Sequence, residues 1–85
     1  MKYSSPEASD SQDLKNRLDR TGEQMAELFG VAGGQQWRKY TGGVEPREMS
    51  PQILFFGAAR LALEPAELDK VLEKMREIGA EIQLE

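Results

Sequence analysis

The chain contains neither cysteine nor histidine in its 85 residues. Without cysteine it forms no disulfide bond and has no thiol chemistry, and without histidine the usual zinc-binding frameworks are excluded. The longest apolar run, about residues 53–59, is too short to cross a bilayer. No charged segment followed by an apolar one suggests secretion. We therefore expect a cytoplasmic protein that holds no metal or cofactor and does not enter a membrane.

The side-chain arrangements that usually carry catalysis are also missing from the sequence. There is no Walker-type phosphate loop and no pair of carboxylates in a recognisable motif. Gly30, Gly33 and Gly34 superficially resemble a phosphate-binding glycine loop, but no predicted strand precedes them and their spacing differs from that pattern. We therefore expect that the protein is not an enzyme and has no small-molecule ligand.

Length and charge limit the partners that the chain can have. It makes one domain at the small end of what buries a self-sufficient core, and such chains tend to need a partner subunit. The formal net charge of −4 argues against nucleic-acid binding, which usually involves a basic domain. However, the excess of acidic residues lies within residues 64–85, and the local field at a contact surface matters more than the total charge. Residues 14–47 have a basic excess, with Lys15, Arg17, Arg20, Arg38, Lys39 and Arg47 against Asp19, Glu23, Glu27 and Glu45.

Residues 21–43 have the local signals of two short helices joined by a tight turn. Thr21 is a good N-cap, and Gln24 three residues later completes a capping box. Gly30 allows the left-handed conformation that ends a helix, and a second helix follows and ends at Thr41, before two glycines. This pattern predicts a helix-turn-helix unit, although capped helices joined by glycine also occur in small helical bundles of other function.

The second helix of this unit has the side chains that a DNA-reading helix requires. Trp37 and Tyr40 are three positions apart and are expected to anchor the helix to the core. Outward-facing glutamine can pair with adenine, and arginine or lysine with guanine, whereas other groups contact phosphates. The residues that we expect to contact or closely approach DNA are Thr21, Gly33, Gly34, Gln35, Gln36, Arg38, Lys39, Thr41 and Arg47.

The helical rotation of about 100° per residue orders the side chains of the second helix. With the two aromatic residues inward, Gln35, Gln36 and Lys39 are expected to face outward, and Arg38 to lie toward one flank. Gly34 is expected at the end nearest the DNA, because a residue without a side chain lets a backbone approach closely.

On these residues the chain resembles the Cro/repressor-type (XRE) helix-turn-helix regulators of bacteria and phages. The resemblance covers roughly residues 14–63, and the residues that carry it are Ala26, Gly30, Val31, Trp37 and Tyr40. It implies a repressor-like helical domain that binds double-stranded DNA and regulates transcription.

Two positions depart from the pattern of that family. Ala32 stands where the family usually has serine or threonine as the cap of the recognition helix, and Gly22 lies near the place of a glutamine. The spacing of the aromatic pair suggests one extra residue in the turn, so that Gly33 becomes the expected cap.

The rest of the chain predicts three more helices, and we therefore expect an all-α, five-helix domain. A first helix is expected over residues 9–19, where Leu14 and Leu18 face inward. Ser50 and Pro51 begin a fourth helix as N-cap and first helical residue. Phe55 could belong either to the core or to a contact surface. The expected core residues of the fourth helix are Ile53, Leu54, Phe56, Ala58 and Leu61.

The C-terminal segment predicts a fifth helix and a surface for dimerisation. Glu64 and Pro65 begin this helix, Gly79 ends it, and its apolar residues form one stripe. Residues 80–85 alternate between apolar and polar, which is typical of a strand, and a lone strand would need a second subunit for pairing. A frayed tail, or a cloning scar at the final Leu-Glu, are the alternatives. The predicted interface consists of Leu68, Val71, Leu72, Met75, Ile78, Ile82 and Leu84.

These expectations divide the chain into three parts: a flexible arm at residues 1–8, a helix-turn-helix DNA-binding domain at 9–63, and a dimerisation helix and tail at 64–85. The expected function is a sequence-specific transcriptional regulator, a repressor acting as a homodimer on a palindromic operator. The alternative is a small helical protein-interaction module, antitoxin-like or an adaptor, that would use the stripe of residues 68–78.

Overall fold

A computed structural model describes residues 1–84 and confirms the all-α, five-helix expectation. No strand occurs in this range, so the strand predicted from residue 80 is absent as far as residue 84, and Glu85 lies outside the described residues. None of the helices in residues 1–84 combines the length and apolarity that crossing a bilayer requires. The helices are α1 (Ala8–Leu18), α2 (Gly22–Phe29), α3 (Gly34–Thr41), α4 (Pro51–Ala62) and α5 (Pro65–Ile78).

The predicted ends of α2 and α4 are confirmed by hydrogen bonds of the capping residues. The Thr21 hydroxyl accepts from the Gln24 backbone N–H at 3.1 Å, and the Gln24 side chain accepts from the Thr21 backbone N–H at 2.9 Å. Gly30 ends α2 with a φ of 71°, the left-handed conformation for which glycine has no steric cost. The Ser50 hydroxyl accepts from the Ile53 N–H at 3.2 Å, ahead of a proline in the first turn.

Helix α1 begins one residue earlier than expected, because Glu7 acts as its N-cap in a reciprocal arrangement with Asp10. Asp19 adopts a left-handed conformation with a φ of 53° and ends the helix. Residues 1–7 precede α1 without regular secondary structure, and the Tyr3 hydroxyl donates to the Met49 carbonyl at 2.6 Å. The N-terminal arm therefore touches the loop between α3 and α4.

The core is a cluster of apolar side chains between α2, α3 and the loop after α3. Trp37 is 1% exposed; its ring centroid lies 5.1 Å from that of Phe29 and 6.4 Å from that of Tyr40. Aromatic pairs at these separations add to the free energy of area burial. The prediction that Trp37 and Tyr40 anchor α3 is confirmed. The cluster comprises Met25, Ala26, Leu28, Phe29, Trp37, Tyr40 and Met49.

The expectation for the core face of α4 is partly wrong. Ile53, Leu54 and Phe56 are half-buried, but Ala58 and Leu61 are exposed. Because α4 is apolar on most sides, its sequence predicts more buried residues than the neighbouring helices can cover. The buried residue of α4 is Gly57, which packs against the ring of Phe29. Phe55 does not belong to the core of its own chain, because it is 74% exposed.

Helix α5 and the tail contribute less to the buried core than their apolar stripe predicted. Leu72 is buried and Ile78 is 81% exposed. The chain then turns back, and the Arg76 guanidinium donates to the Ile82 carbonyl from Nε at 3.3 Å and Nη2 at 3.0 Å. The half-buried Ile82 and Leu84 line a groove on their own chain, together with Phe29, Val31 and Phe56.

Burial of Trp37 predicts a large stability loss on truncation. Trp37→Ala removes a fully buried aromatic side chain and should lower the free energy of unfolding by about 3–5 kcal/mol. Val44→Ala is the control, because Val44 is fully exposed and its truncation should change stability by less than about 0.5 kcal/mol. Urea denaturation followed by circular dichroism measures both. A Trp37→Ala variant that unfolds at the parent's midpoint would contradict this packing.

Candidate nucleic-acid interface

The turn between α2 and α3 is held by backbone hydrogen bonds and ends at a glycine cap. The Val31 N–H donates to the Ala26 carbonyl at 2.9 Å, and the Gly30 N–H donates to the Glu27 backbone carbonyl at 3.2 Å. Gly33 is the N-cap of α3, as the inferred extra residue in the turn required, and its backbone is extended. The Gly33 carbonyl accepts from the Trp37 N–H at 3.1 Å, but because glycine has no side chain, this cap supplies no side-chain acceptor to the first turn of α3.

The missing acceptor comes from α2. The Glu23 carboxylate accepts from the Gly34 N–H through Oε1 at 2.8 Å, which satisfies one of the free N–H groups at the start of a helix and places a negative charge at the positive end of its dipole. The sequence analysis missed this role of Glu23. The only available signal was indirect: a glycine N-cap implies that an acceptor must come from elsewhere in the chain.

Gly34 lies at the contact between α2 and α3 and is buried. A Cβ atom at this position would be 2.7 Å from Glu23 Oε1, the end of a flexible side chain, and 3.3 Å from the Glu23 backbone nitrogen, which is a tight contact. A side chain at Gly34 would therefore displace the Glu23 carboxylate that caps α3. The expectation that Gly34 lies at the end of α3 nearest the DNA stays a prediction.

The outward face of α3 carries three exposed polar side chains, Gln35, Arg38 and Lys39. Gln36 was expected beside them but is half-buried, because it precedes the buried Tyr40 by four positions and therefore lies on the same side of the helix. Arg38, which was expected on the flank, is exposed in its place. Of the four polar side chains predicted to read DNA, Gln36 is thus half-buried, and the other three are exposed together.

A groove of about 690 Å³ runs between α1 and α3 beside this face. Its residues from α3 include Gln35, Arg38, Lys39 and Thr41, all expected from the sequence. The wall formed by α1 contributes Lys15 and Gln12, which were not among the expected site residues, and no carboxylate lines the groove among residues 1–84. The arrangement is a cationic cleft with amide groups on both walls.

Gly22 lies beside this cleft, near both the backbone of α3 and Arg38. A Cβ atom at Gly22 would lie 3.9 Å from Nη1 of Arg38 and 3.8 Å from the backbone of Gly34, which is ordinary van der Waals contact.

The remaining residues predicted to touch DNA lie around the groove but do not line it. The Thr21 hydroxyl serves as the cap of α2, and Gly33 is half-buried as the cap of α3. Arg47 is exposed in the loop after α3, where its backbone N–H donates to the Lys39 carbonyl at 2.6 Å. This bond holds the loop against the C-terminal end of α3.

The basic side chains of this region are not neutralised within the part of the chain that the structure describes. The ion pairs found there join Arg60 to Glu27, Lys74 to Glu77 and Arg76 to Glu73. None involves Lys15, Arg17, Arg20, Arg38, Lys39 or Arg47, so their charges remain available to an anionic partner.

Arg60 is a further charged residue whose role the sequence analysis missed. Its Nη1 donates to the carbonyls of Glu27 at 2.8 Å and Leu28 at 3.1 Å, in the last turn of α2. Its guanidinium carbon also lies 5.7 Å from the ring centroid of Phe56. A cation at a helix C-terminus stabilises the unpaired carbonyls and the dipole, so Arg60 fastens α4 to the helix that precedes the turn.

Comparison of the chain with models of known protein families, with curated proteins and with solved structures found no match. The function is therefore argued from the geometry and chemistry of this surface.

Removal of the Glu23 cap is expected to lower the stability of the protein measurably without loss of the fold. Glu23→Ala leaves the Gly34 N–H without its acceptor and should lower the free energy of unfolding by about 0.5–2 kcal/mol. Glu45→Ala is the matched control, because Glu45 is exposed and forms no side-chain hydrogen bond or ion pair among the described residues. Equal urea midpoints for the two variants would show that this cap does not stabilise α3.

Proposed function

We propose that this protein is a sequence-specific, double-stranded DNA-binding regulator of the Cro/repressor type. The observation that carries the proposal is the outward face of α3, where Gln35, Arg38 and Lys39 are exposed together while Trp37 and Tyr40 hold the helix against the core. An α-helix fits the major groove of B-DNA, where each base pair has a distinct pattern of donors and acceptors. In this proposal the anchored helix enters that groove with its row of polar side chains toward the bases.

The three exposed side chains of α3 have different chemistry toward DNA. Gln35 can donate to and accept from one adenine, so it can distinguish one base pair from another. Arg38 and Lys39 carry full charges and line the cationic groove, which suits phosphates, and phosphate contacts position a protein without reading sequence. Gln35 is therefore the base-reading residue of this proposal, and the cations supply affinity.

The net charge of −4 is compatible with this function because of where the charges lie. The acidic excess is in residues 64–85, whereas the unpaired basic residues surround α1 and α3. Attraction between a protein and DNA depends on the field at the contact surface, and salt screens charges more than about 10 Å away at 0.1 M. We expect modest affinity for random duplex and a strong contribution from specific contacts.

The proposal includes a homodimer, for which a surface between α4 and α5 is suited. A groove of about 400 Å³ there is lined, apart from Gln52, by apolar side chains, among them Phe55, Ala59, Leu68 and Val71. The largely exposed ring of Phe55 stands at its edge. An isologous interface needs a patch that complements itself, and a protruding ring beside an apolar groove meets that need.

This surface differs from the dimer interface expected from the sequence. Leu72 is buried in its own chain, and Ile82 and Leu84 are half-buried against the side of the α2–α3 turn. The interface now proposed keeps Leu68, Val71 and Met75, adds the exposed face of α4 and does not use the tail. A dimer would place two reading helices on half-sites about 34 Å apart along the DNA, and binding at a promoter would exclude polymerase.

Base reading is tested by binding-site selection from random duplexes, followed by titrations on the selected operator and on a scrambled duplex. Gln35→Ala should cost about 1–3 kcal/mol on the operator, relax the preference at one base pair and leave the scrambled duplex unaffected. Gln83→Ala is the matched control, since Gln83 is an exposed glutamine of the tail.

Two outcomes would contradict the reading face. Equal losses of the Gln35→Ala variant on both duplexes would remove Gln35 from base recognition. No salt-dependent binding of the parent protein to any duplex would overturn the DNA proposal. It would favour the interaction module, for which the apolar groove between α4 and α5 is the relevant surface.

Dimerisation is tested by sedimentation equilibrium at roughly tens of micromolar protein. The parent should sediment as a dimer, and Phe55→Asp should sediment as a folded monomer, because an unpaired charge in an apolar interface is strongly unfavourable. Val44→Asp introduces the same charge at a fully exposed position and should remain dimeric. A parent protein that is monomeric with and without DNA would contradict the homodimer.

A further inference from the structure

We infer that the groove between α1 and α3 is the seat of one phosphodiester strand, with Lys15 of α1 as a phosphate-contacting residue opposite α3. This inference rests on the proposed DNA-binding function and extends it to a helix outside the helix-turn-helix unit. The wall formed by α3 contributes Arg38 and Lys39, with the base-reading Gln35 at its N-terminal end, and the wall formed by α1 contributes Lys15 and the amide of Gln12.

The charge of the groove favours an anion along its whole length. Three cationic side chains line it from two helices, and no carboxylate does so within residues 1–84. The acidic residues of α1, Asp10 and Asp13, lie instead with Arg17 on a separate surface depression. An anionic chain in the groove would therefore meet attraction from both walls without a competing negative group on its lining.

Lys15 has no partner of its own in the described structure. It is half-buried, and no ion pair or side-chain hydrogen bond engages its ammonium group. An ammonium group has three donors, and a charge-assisted bond to a phosphate oxygen is about twice as strong as a neutral hydrogen bond. A phosphate oxygen supplies the acceptor that the protein does not.

The end of the groove is open to a polymer backbone. Gly42 and Gly43 line it there, and a Cβ atom built on either residue would meet nothing within 4 Å. A continuous strand can therefore leave the groove past the C-terminal end of α3.

The other place where α3 could bind a phosphate is already occupied. Helix N-termini attract anions through their free N–H groups, but at α3 the Glu23 carboxylate accepts from the Gly34 N–H. Its negative charge would repel a phosphate at that end of the helix. The phosphodiester strand is therefore expected to bind in the groove beside Lys15, while the N-terminal half of α3 faces the bases.

The test is the salt dependence of binding to operator and scrambled duplexes, measured by fluorescence anisotropy with the full chain. Each phosphate contact contributes a slope of about 0.9 in log K against log salt. Lys15→Gln should lower the slope by about that amount for each protomer bound, equally on both duplexes and without changing base preference. Lys15→Arg should restore the slope. Lys70→Gln is the matched control, because Lys70 is an exposed lysine of α5, and it should leave the slope unchanged.

Each outcome either supports or overturns the inference. If Lys39→Gln lowers the slope but Lys15→Gln behaves like Lys70→Gln, the protein binds DNA and the α1 wall does not contact a phosphate. If polyglutamate competes for the parent with the same dependence on Lys15 as duplex DNA, the groove is a general anion site and not a seat for a strand. A parent with no salt-dependent binding to any duplex overturns the DNA function together with this inference.

Discussion

The structure depends on the ring of Phe29, the last residue of α2. The centroid of the ring lies 5.1 Å from that of Trp37 in α3, and the ring also lies against Gly57 of α4, where any Cβ atom would overlap it. Three helices thus meet on one side chain. Because interiors are close-packed and transmit strain, a change on the α4 side of this ring would be felt at α3. The orientation of the polar face of α3 therefore follows from packing behind it.

Local signals in the sequence were sufficient for most of the fold. The predicted caps of α2 and α4 depend on residues within four positions of one another, as at Thr21 and Gln24, so a local pattern is sufficient to predict them. The aromatic spacing of Trp37 and Tyr40 likewise gave the helix phase. The face of α4 could not be derived in this way, since Ala58 and Leu61 are apolar, and only the position of α2 decides that Gly57 is buried instead.

Residues of α3 in the candidate site could be predicted from the sequence, whereas those that α1 and α2 contribute could not. The exposure of Gln35 and Lys39 follows from periodicity once the aromatic pair is placed inward, whereas Gln36 was expected outward and Arg38 on the flank, and the structure exposes Arg38 instead of Gln36. Lys15 and Glu23 belong to other helices, and their positions relative to α3 arise from long-range packing that no local pattern encodes.

Two charged residues neutralise helix ends within the protein, and this determines how an anionic partner can be held. Glu23 occupies the start of α3, and Arg60 occupies the carbonyls at the end of α2. The C-terminal end of α2 is the negative end of its dipole and would not attract an anion in any case, so it is the Glu23 cap that removes a helix terminus from an anionic ligand. In the proposed function, attraction to DNA comes from unpaired side chains, and three of these, Lys15, Arg38 and Lys39, lie on the walls of the α1–α3 groove. Such side chains can be placed at chosen phosphates and bases, whereas a free helix N-terminus attracts any anion, so this arrangement would favour specificity over general affinity.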